Sequence, residues 1–225
     1  MIVRMVVQTS LSMVVMGAIL LASAGDWRWS EGWIFLAEMG AFSLAIGLWL
    51  NGHDKALLAA RLSSPMQRDQ RPWDRVFMAI ALLSFVGWLA LMALDARRFR
   101  WSETSVWCEL AGLILIALCM LLCWRTFAAN TFAAPQVRMQ GQRGHKVVTT
   151  GPYRVIRHPM YAGALLYFLG APLLLGSWCG FVLFPVFAVG LAIRTVGEER
   201  MLRSRLTDYD IYTRRVRYRF IPYIW

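Results

Sequence analysis

The sequence is poor in the residues on which most metal centres and hydrolytic sites depend. It holds 3 histidines and 4 cysteines among 225 residues, and His53, His145 and His158 are far apart in the chain. All four cysteines fall in apolar segments, and Cys119 and Cys123, one helical turn apart, would supply only half of a tetrahedral zinc site. No Walker loop, HExxH motif, paired CxxC motif or Ser-His-Asp order occurs. These absences argue against an ATPase, a hydrolase or a metalloenzyme, and we predict no bound metal.

Charged residues are also scarce, at 16% of the chain, whereas hydrophobic residues make up 58% and the mean hydropathy is +0.49. This composition excludes an ordinary soluble domain. An apolar run of about 18 residues or more predicts a transmembrane helix, because only a helix satisfies its own backbone in lipid. Four such runs cover roughly residues 5–24, 32–50, 76–94 and 104–124. The first resembles a secretory signal with a cleavage site at 22–24, but it is long enough to span, and we expect it to be retained.

A fifth apolar region, about residues 160–193, is too long for one helix. Pro172, Gly176, Ser177 and Gly180 interrupt it, which predicts two helices joined by a tight turn near Gly176–Ser177. The predicted fold is therefore an all-α integral membrane bundle of five to six transmembrane helices. The last two form a helical hairpin, and residues 1–225 form a single membrane domain.

Acidic residues are few, 13 against 24 lysines and arginines, which gives a net charge of +11. When the polar segments are assigned alternately to the two sides of the membrane, 20 of the 24 cationic residues lie on the side of the N-terminus and 4 on the other. This asymmetry predicts that both termini are cytoplasmic, in the inner membrane if the protein is bacterial. It also favours anionic membrane lipids, and not nucleic acid, as partners of the excess charge.

The two halves of the chain differ in character. Residues 1–124 alternate apolar runs with short polar turns and are interpreted as a transmembrane scaffold. Residues 125–225 hold a polar segment between two spans and an arginine-rich tail, and are interpreted as the cofactor-binding and catalytic half. Three constellations in this half carry candidate chemistry, at residues 144–153, 157–163 and 194–202.

The first two constellations flank one predicted helix start. Val147 and Val148 indicate a short extended stretch, and the Gly151–Pro152 turn after it suits either a ligand-binding loop or a surface loop. Pro159 is well placed as a first helical residue, so Arg157 and His158 precede a helix N-terminus. That end would attract an anionic group such as a carboxylate. The alternative is anchoring at the interface by Arg157 and Tyr161.

The third constellation places Arg194 and Glu198 four residues apart, on one helix face, with Glu199 as a neighbour. One interpretation is an Arg194–Glu198 ion pair at a helix end, worth a few tenths of a kcal/mol if exposed. In the other, Glu198 accepts hydrogen bonds from a cofactor and Arg194 holds a substrate anion.

Taken in order, these motifs resemble the isoprenylcysteine carboxyl methyltransferase family of integral-membrane enzymes that use S-adenosylmethionine. The resemblance covers about residues 125–225 and follows the order of the motifs, which are His145 to Val148, Gly151-Pro152-Tyr153, Arg157-His158-Pro159-Met160-Tyr161, the apolar hairpin, Glu198-Glu199, and Tyr209, Tyr212 and Pro222 in the tail. It implies a cytoplasmic cofactor site built from loops and the C-terminal tail.

The resemblance also implies roles for individual residues. Arg194 is the expected substrate-binding residue, and Arg194 and Glu198 are the expected catalytic pair. Arg138 stands where the eukaryotic members have a glutamine and would pair with the methionine carboxylate of the cofactor. The residues expected to bind the cofactor are Arg138, His145, Lys146, Val147, Val148, Tyr153, His158, Pro159, Met160, Tyr161, Glu198 and Glu199.

The predicted function is S-adenosylmethionine-dependent methyl transfer to a lipophilic small molecule or lipidated substrate, with an isoprenylcysteine-type carboxylate as the acceptor. Such a carboxylate is ionised at neutral pH, so the reaction needs alignment more than acid–base chemistry. The alternatives are a phospholipid amine or a small thiol, for which Glu199 or Tyr153 would have to act as a base. A sterol-reductase-like membrane NADPH oxidoreductase and a non-enzymatic membrane subunit are the other classes considered.

Overall fold

The structure is a computed structural model that describes residues 1–63, 72–133, 147–206 and 208–225. These residues are helical apart from turns, irregular segments and one isolated parallel bridge between Ile156 and Tyr218. The all-α prediction is therefore confirmed. The helices are α1 (Ile2–Ala24), α2 (Ser30–His53), α3 (Lys55–Arg61), α4 (Pro72–Ala93), α5 (Val106–Ala129), α6 (Pro159–Leu175), α7 (Phe184–Arg205) and α8 (Tyr209–Arg215).

The described residues include 5 helical segments that are long and apolar enough to cross a membrane. They are α1, α2, α4 with its continuation to Phe99, α5, and α7 with the turn that begins at Cys179. The shorter apolar helix α6 completes the bundle. An integral membrane protein of five to six spans is thus confirmed. Helix α7 ends at Arg205, whereas the apolar region predicted from the sequence ends near residue 193.

The hairpin turn is found at Gly176, as the sequence predicts. Gly176 ends α6 in the left-handed conformation, with φ of 74°, and its N–H donates to the carbonyl oxygens of Leu173 and Pro172. Glycine suits this cap because a side chain strains a positive φ. A short 3₁₀ segment, Cys179–Leu183, then leads into α7, which returns the chain to the end of the bundle where α6 began.

Glycines bring α6 against α5, and this packing fixes the start of α6 beside the end of α5. A methyl group on Gly112 of α5 would lie 2.6 Å from the carbonyl oxygen of Gly170 of α6. A methyl group on Gly163 would lie 3.5 Å from the carbonyl oxygen of Cys119. Small residues at such crossings let two helix backbones approach closely in a membrane. The described parts of the connection between the two helices, residues 130–133 and 147–158, are thereby held at one end of the bundle.

Polar contacts mark the two ends of the bundle. At one end, Arg4 donates to the carbonyl oxygen of Leu62 at 2.8 Å, and Arg61 donates to that of Ala133 at 2.9 Å. These bonds join the N-terminus to the α2–α4 and α5–α6 connections. The opposite end is tied by Asp95, which accepts from Ser102, Ser177 and the Cys179 N–H. The first end, called the basic end below, also holds the C-terminal tail. That it faces the cytoplasm remains our prediction from the charge asymmetry.

Candidate functional site

A cavity of about 320 Å³ lies at the basic end. Helices α4, α6, α7 and α8, together with the irregular segments at residues 130–133 and 147–158, form its wall. Its polar side includes Tyr153, His158, Tyr161, Arg194 and Glu198. The apolar side is lined by Met78, Ala133, Met160, Ala164, Leu191, Met201 and Leu202. One cavity thus joins a polar region to an apolar region that is lined mostly by residues of α4, α6 and α7.

The turn before α6 sets the position of Tyr153. Gly151 has φ of 57° and begins a one-turn 3₁₀ segment, and a methyl group there would lie 2.9 Å from Cβ of Ala129. A glycine is therefore needed both for the backbone conformation and for the close approach to α5. Tyr153 is then fixed at two atoms. Its hydroxyl accepts a hydrogen bond from Asn130 Nδ2 at 2.7 Å, and its carbonyl oxygen accepts one from the Tyr212 hydroxyl at 2.8 Å.

The first turn of α6 presents two stacked rings to Glu198. Pro159 is the first residue of α6, as predicted. The rings of His158 and Tyr161 stack with centroids 5.4 Å apart and planes 6° apart. The Tyr161 hydroxyl donates to Glu198 Oε2 at 2.7 Å, and His158 Nδ1 lies 3.7 Å from the same oxygen. This arrangement fixes the Glu198 carboxylate at the cavity wall by contacts from another helix.

Glu199 is at the centre of a buried charge cluster. Its carboxylate lies 2.8 Å from Arg157 Nε, 3.2 Å from Arg219 Nε and 3.3 Å from His158 Nε2. The Glu199 side chain is only 4% exposed, and that of Arg157 only 6%. The anion that the start of α6 attracts is thus a carboxylate of the protein itself. Glu199 does not line the cavity, and its contact with a cofactor stays a prediction.

The same cluster attaches the C-terminal tail to the bundle. The N–H groups of Arg157 and His158 donate to the carbonyl oxygens of Tyr218 at 3.0 Å and Arg219 at 2.7 Å. Arg157 Nη1 also donates to the carbonyl oxygen of Val216 at 3.2 Å. Helix α8 directly precedes these residues, and its Tyr209 and Tyr212 line the cavity. The tail therefore forms one wall of the site.

Glu199→Gln should loosen this attachment, because it leaves two arginines beside a neutral amide. Removing one partner of a buried ion pair typically costs about 3–5 kcal/mol. We expect faster amide hydrogen exchange across residues 216–220 and a lower Tm in detergent. Asp210→Asn is the matched control, since the Asp210–Arg203 pair is 61% and 48% exposed. If both variants exchange like the wild type, Glu199 does not hold the tail.

Arg194 is paired across the bundle. Its Nε lies 3.2 Å from Asp74 Oδ1 of α4, and the side chains are 10% and 0% exposed. The guanidinium also lies over the rings of Phe77 at 5.3 Å and Tyr161 at 6.0 Å. The ion partner found for Arg194 thus comes from α4, not from the Glu198 that the helix-end interpretation named. Arg194 faces the cavity at the boundary between its polar and apolar regions.

The phenols of Tyr153, Tyr209 and Tyr212 stay protonated at neutral pH, because their pKa values are raised. Burial raises the pKa of Tyr153, and the nearby Glu198 carboxylate raises it further. Burial likewise raises the pKa of Tyr209 and of Tyr212. Tyr153 is therefore a poor base, and Glu199 is held in its ion cluster away from the cavity wall. Neither residue suits the base role that an amine or thiol acceptor would require.

The structure brings together most of the residues predicted for the site. Those found in one cavity wall are Val147, Val148, Tyr153, His158, Pro159, Met160, Tyr161, Arg194 and Glu198. Val147 and Val148 belong to an irregular segment without assigned strand structure. Arg138, His145 and Lys146 lie outside the described residues.

Sequence reasoning missed several contributors. Asn130, Met78 and Met201 line the cavity, and Asp74 binds Arg194 from behind it. Asp74 belongs to the predicted scaffold. Its position next to an apolar span, where a charge is costly, is the one signal that could have pointed to it. Within the described residues, no group of three or more His, Cys, Asp or Glu side chains is placed to hold a metal ion.

The long apolar helices indicate a membrane protein, and its cavity joins a polar wall to an apolar wall. Residues 107–208 match the family model described as phospholipid methyltransferase. This family belongs to the superfamily of integral-membrane methyltransferases that resemble the isoprenylcysteine carboxyl methyltransferases, so the resemblance found in the sequence is confirmed. The match indicates a membrane methyltransferase. No curated protein matches the chain.

Proposed function

We propose that the protein transfers a methyl group from S-adenosylmethionine to a lipophilic acceptor. The observation that carries this proposal is the cavity at the basic end, which has a polar wall at Tyr153, His158 and Glu198 and an apolar wall at Met78 and Leu191. A water-soluble cofactor and a lipidic acceptor can meet only at a site that has both a polar wall and an apolar wall. The matched family is consistent with such a pairing.

The polar wall fits the cofactor. Glu198 offers a fixed carboxylate that can accept hydrogen bonds from hydroxyl groups, and its own position is set by Tyr161. The Tyr209 hydroxyl is buried at the cavity wall and has no hydrogen-bond partner among the described residues, so it can serve a ligand. S-adenosylmethionine supplies an electrophilic methyl group on a sulfonium, and the ring of Tyr161 is of the kind that stabilises such a cation. Arg138, His145 and Lys146 remain proposed contacts.

For the acceptor, the geometry favours a carboxylate of the isoprenylcysteine type. Arg194 faces the cavity where the polar wall meets the apolar wall, and a guanidinium orients a carboxylate through paired hydrogen bonds. A carboxylate needs no base. This agrees with the absence of a suitable base at Tyr153 and Glu199. The lipid portion would lie against Met78, Ala164 and Leu191.

A phospholipid amine is the second candidate, and two observations favour it. The matched family is described as phospholipid methyltransferase. Asp74 also compensates the charge of Arg194, so the pair suits a zwitterionic headgroup as well as an anion. Independently of the acceptor, the basic end would attract anionic membrane lipids, which we propose as its surroundings.

Titration of the purified protein in detergent tests the cofactor. We expect S-adenosylmethionine and S-adenosylhomocysteine to bind with micromolar affinity and NADPH not to bind. Binding of NADPH alone would favour the reductase class and overturn the proposal. Binding of none of the three would favour a non-enzymatic subunit.

A further inference from the structure

Two opposite charges with different proposed tasks stand one turn apart on α7. Glu198 and Arg194 are separated by four residues, so their side chains are neighbours on the helix surface. Both line the cavity, and Arg194 is buried with an exposure of 8%, so unlike charges beside it attract more strongly than in bulk solvent. A direct pair between them would occupy both groups at once, and neither would then be available to a ligand.

Each charge is instead held by a group on another helix. Asp74 of α4 has an exposure of 0% and lies 3.2 Å from Arg194 Nε. Tyr161 of α6 donates to Glu198 at 2.7 Å. Asp74 is absent from the cavity lining, so it is not placed to touch a ligand there. Its carboxylate competes with Glu198 for the same guanidinium.

We propose that Asp74 is a positioning residue that holds Arg194 away from Glu198 and so keeps Glu198 available to the cofactor. The inference rests on the proposed function, which assigns Glu198 to the cofactor and Arg194 to the acceptor. It makes a residue outside the cavity a determinant of cofactor affinity. A purely structural Asp74 would change stability without this specific dependence on Arg194.

Asp74→Asn tests the proposal because it removes the charge and keeps the shape. Glu198 is then the carboxylate nearest to Arg194 in the sequence on the same helix face. We expect the Arg194 guanidinium to turn toward it. We expect the affinity for S-adenosylhomocysteine, measured by calorimetry in detergent, to fall about tenfold or more, which is the size of effect expected when a charged contact is lost to a competitor. Asp74→Glu, which keeps the charge, should retain most of the affinity.

The decisive variant is the double substitution Asp74→Asn/Arg194→Met. It removes the cation that would capture Glu198, so the affinity for S-adenosylhomocysteine should return to within about threefold of the wild-type value, as a coupled pair predicts. Replacing both members of a buried ion pair by neutral groups is often tolerated by the fold, so this variant should be recovered in folded form. Arg194→Met alone should bind the cofactor like the wild type.

Three outcomes would overturn the inference. In the first, Asp74→Asn has the wild-type affinity for S-adenosylhomocysteine. In the second, the double variant has no higher affinity than Asp74→Asn. In the third, Arg194→Met alone fails to bind S-adenosylhomocysteine. If Asp74→Asn is too unstable to purify, Tyr161→Phe releases Glu198 from the other side, and addition of Arg194→Met must then recover part of the lost affinity. A wild-type protein that binds no S-adenosylhomocysteine contradicts the proposed function itself, which separates the two failures.

Discussion

Glu198→Ala is expected to reduce the affinity for S-adenosylhomocysteine by about a hundredfold or more. The carboxylate is held at the cavity wall by the Tyr161 hydroxyl at 2.7 Å, so it is preorganised to accept hydrogen bonds from a ligand. Loss of hydrogen bonds to a charged group costs about 1.5–3 kcal/mol each, and two such bonds account for the expected change. Calorimetric titration in detergent measures it directly.

The control for this variant is Asp210→Ala, which removes an acid from the exposed face of α8 without touching the cavity wall. Its cofactor affinity should match that of the wild type. An unchanged affinity in Glu198→Ala, with the protein still folded by its Tm, would show that Glu198 is not a cofactor contact. The assignment of the polar wall to the cofactor would then be wrong.

Arg194→Met is expected to abolish most turnover and to leave cofactor binding intact. Arg194 lies at the boundary of the polar and apolar walls, where a guanidinium orients an anionic group of the acceptor. Misplacing a reacting group by about 1 Å can cost a factor of about 100 in rate, and losing the charged contact adds to this, so we expect kcat/KM to fall about 1,000-fold. Label transfer from methyl-labelled S-adenosylmethionine measures the rate.

Arg200→Met is the matched control, since Arg200 lies on the same helix, is exposed and does not line the cavity. It should keep its activity. Arg194→Lys separates charge from geometry, because lysine retains the cation without the planar fork of donors. Activity of Arg194→Met close to that of the wild type would remove Arg194 from the acceptor site.

Much of the fold follows from local features of the sequence. The spans are continuous apolar runs, and the hairpin turn depends on Gly176, whose left-handed conformation is a property of that one residue. Pro159 likewise marks the start of α6. Such signals act within a few residues, so they can be recognised without knowledge of the tertiary packing.

The partners within the site depend on packing between distant segments. Asp74 and Arg194 are separated by 120 residues, and Arg157 meets Val216 only because the tail folds back on α6. The sequence showed that Arg157 and His158 stand before a helix, but it did not show that Glu199 would supply the anion there. The spacing of Arg194 and Glu198 suggested a direct pair as readily as two separate roles. The hydrogen bond from Tyr161 and the ion pair with Asp74 favour separate roles.

Methyl transfer by the purified wild-type protein tests the central proposal most directly. The protein is incubated with methyl-labelled S-adenosylmethionine and, in separate reactions, with a prenylated cysteine that has a free carboxylate, with its methyl ester, and with vesicles of phosphatidylethanolamine. We predict label in the free prenylated cysteine and none in its ester, with loss of the signal in Arg194→Met. Label in phosphatidylethanolamine alone would move the acceptor to the phospholipid amine. A protein that binds S-adenosylhomocysteine but labels no lipid, including those of a total membrane extract, would contradict methyl transfer to a lipophilic acceptor.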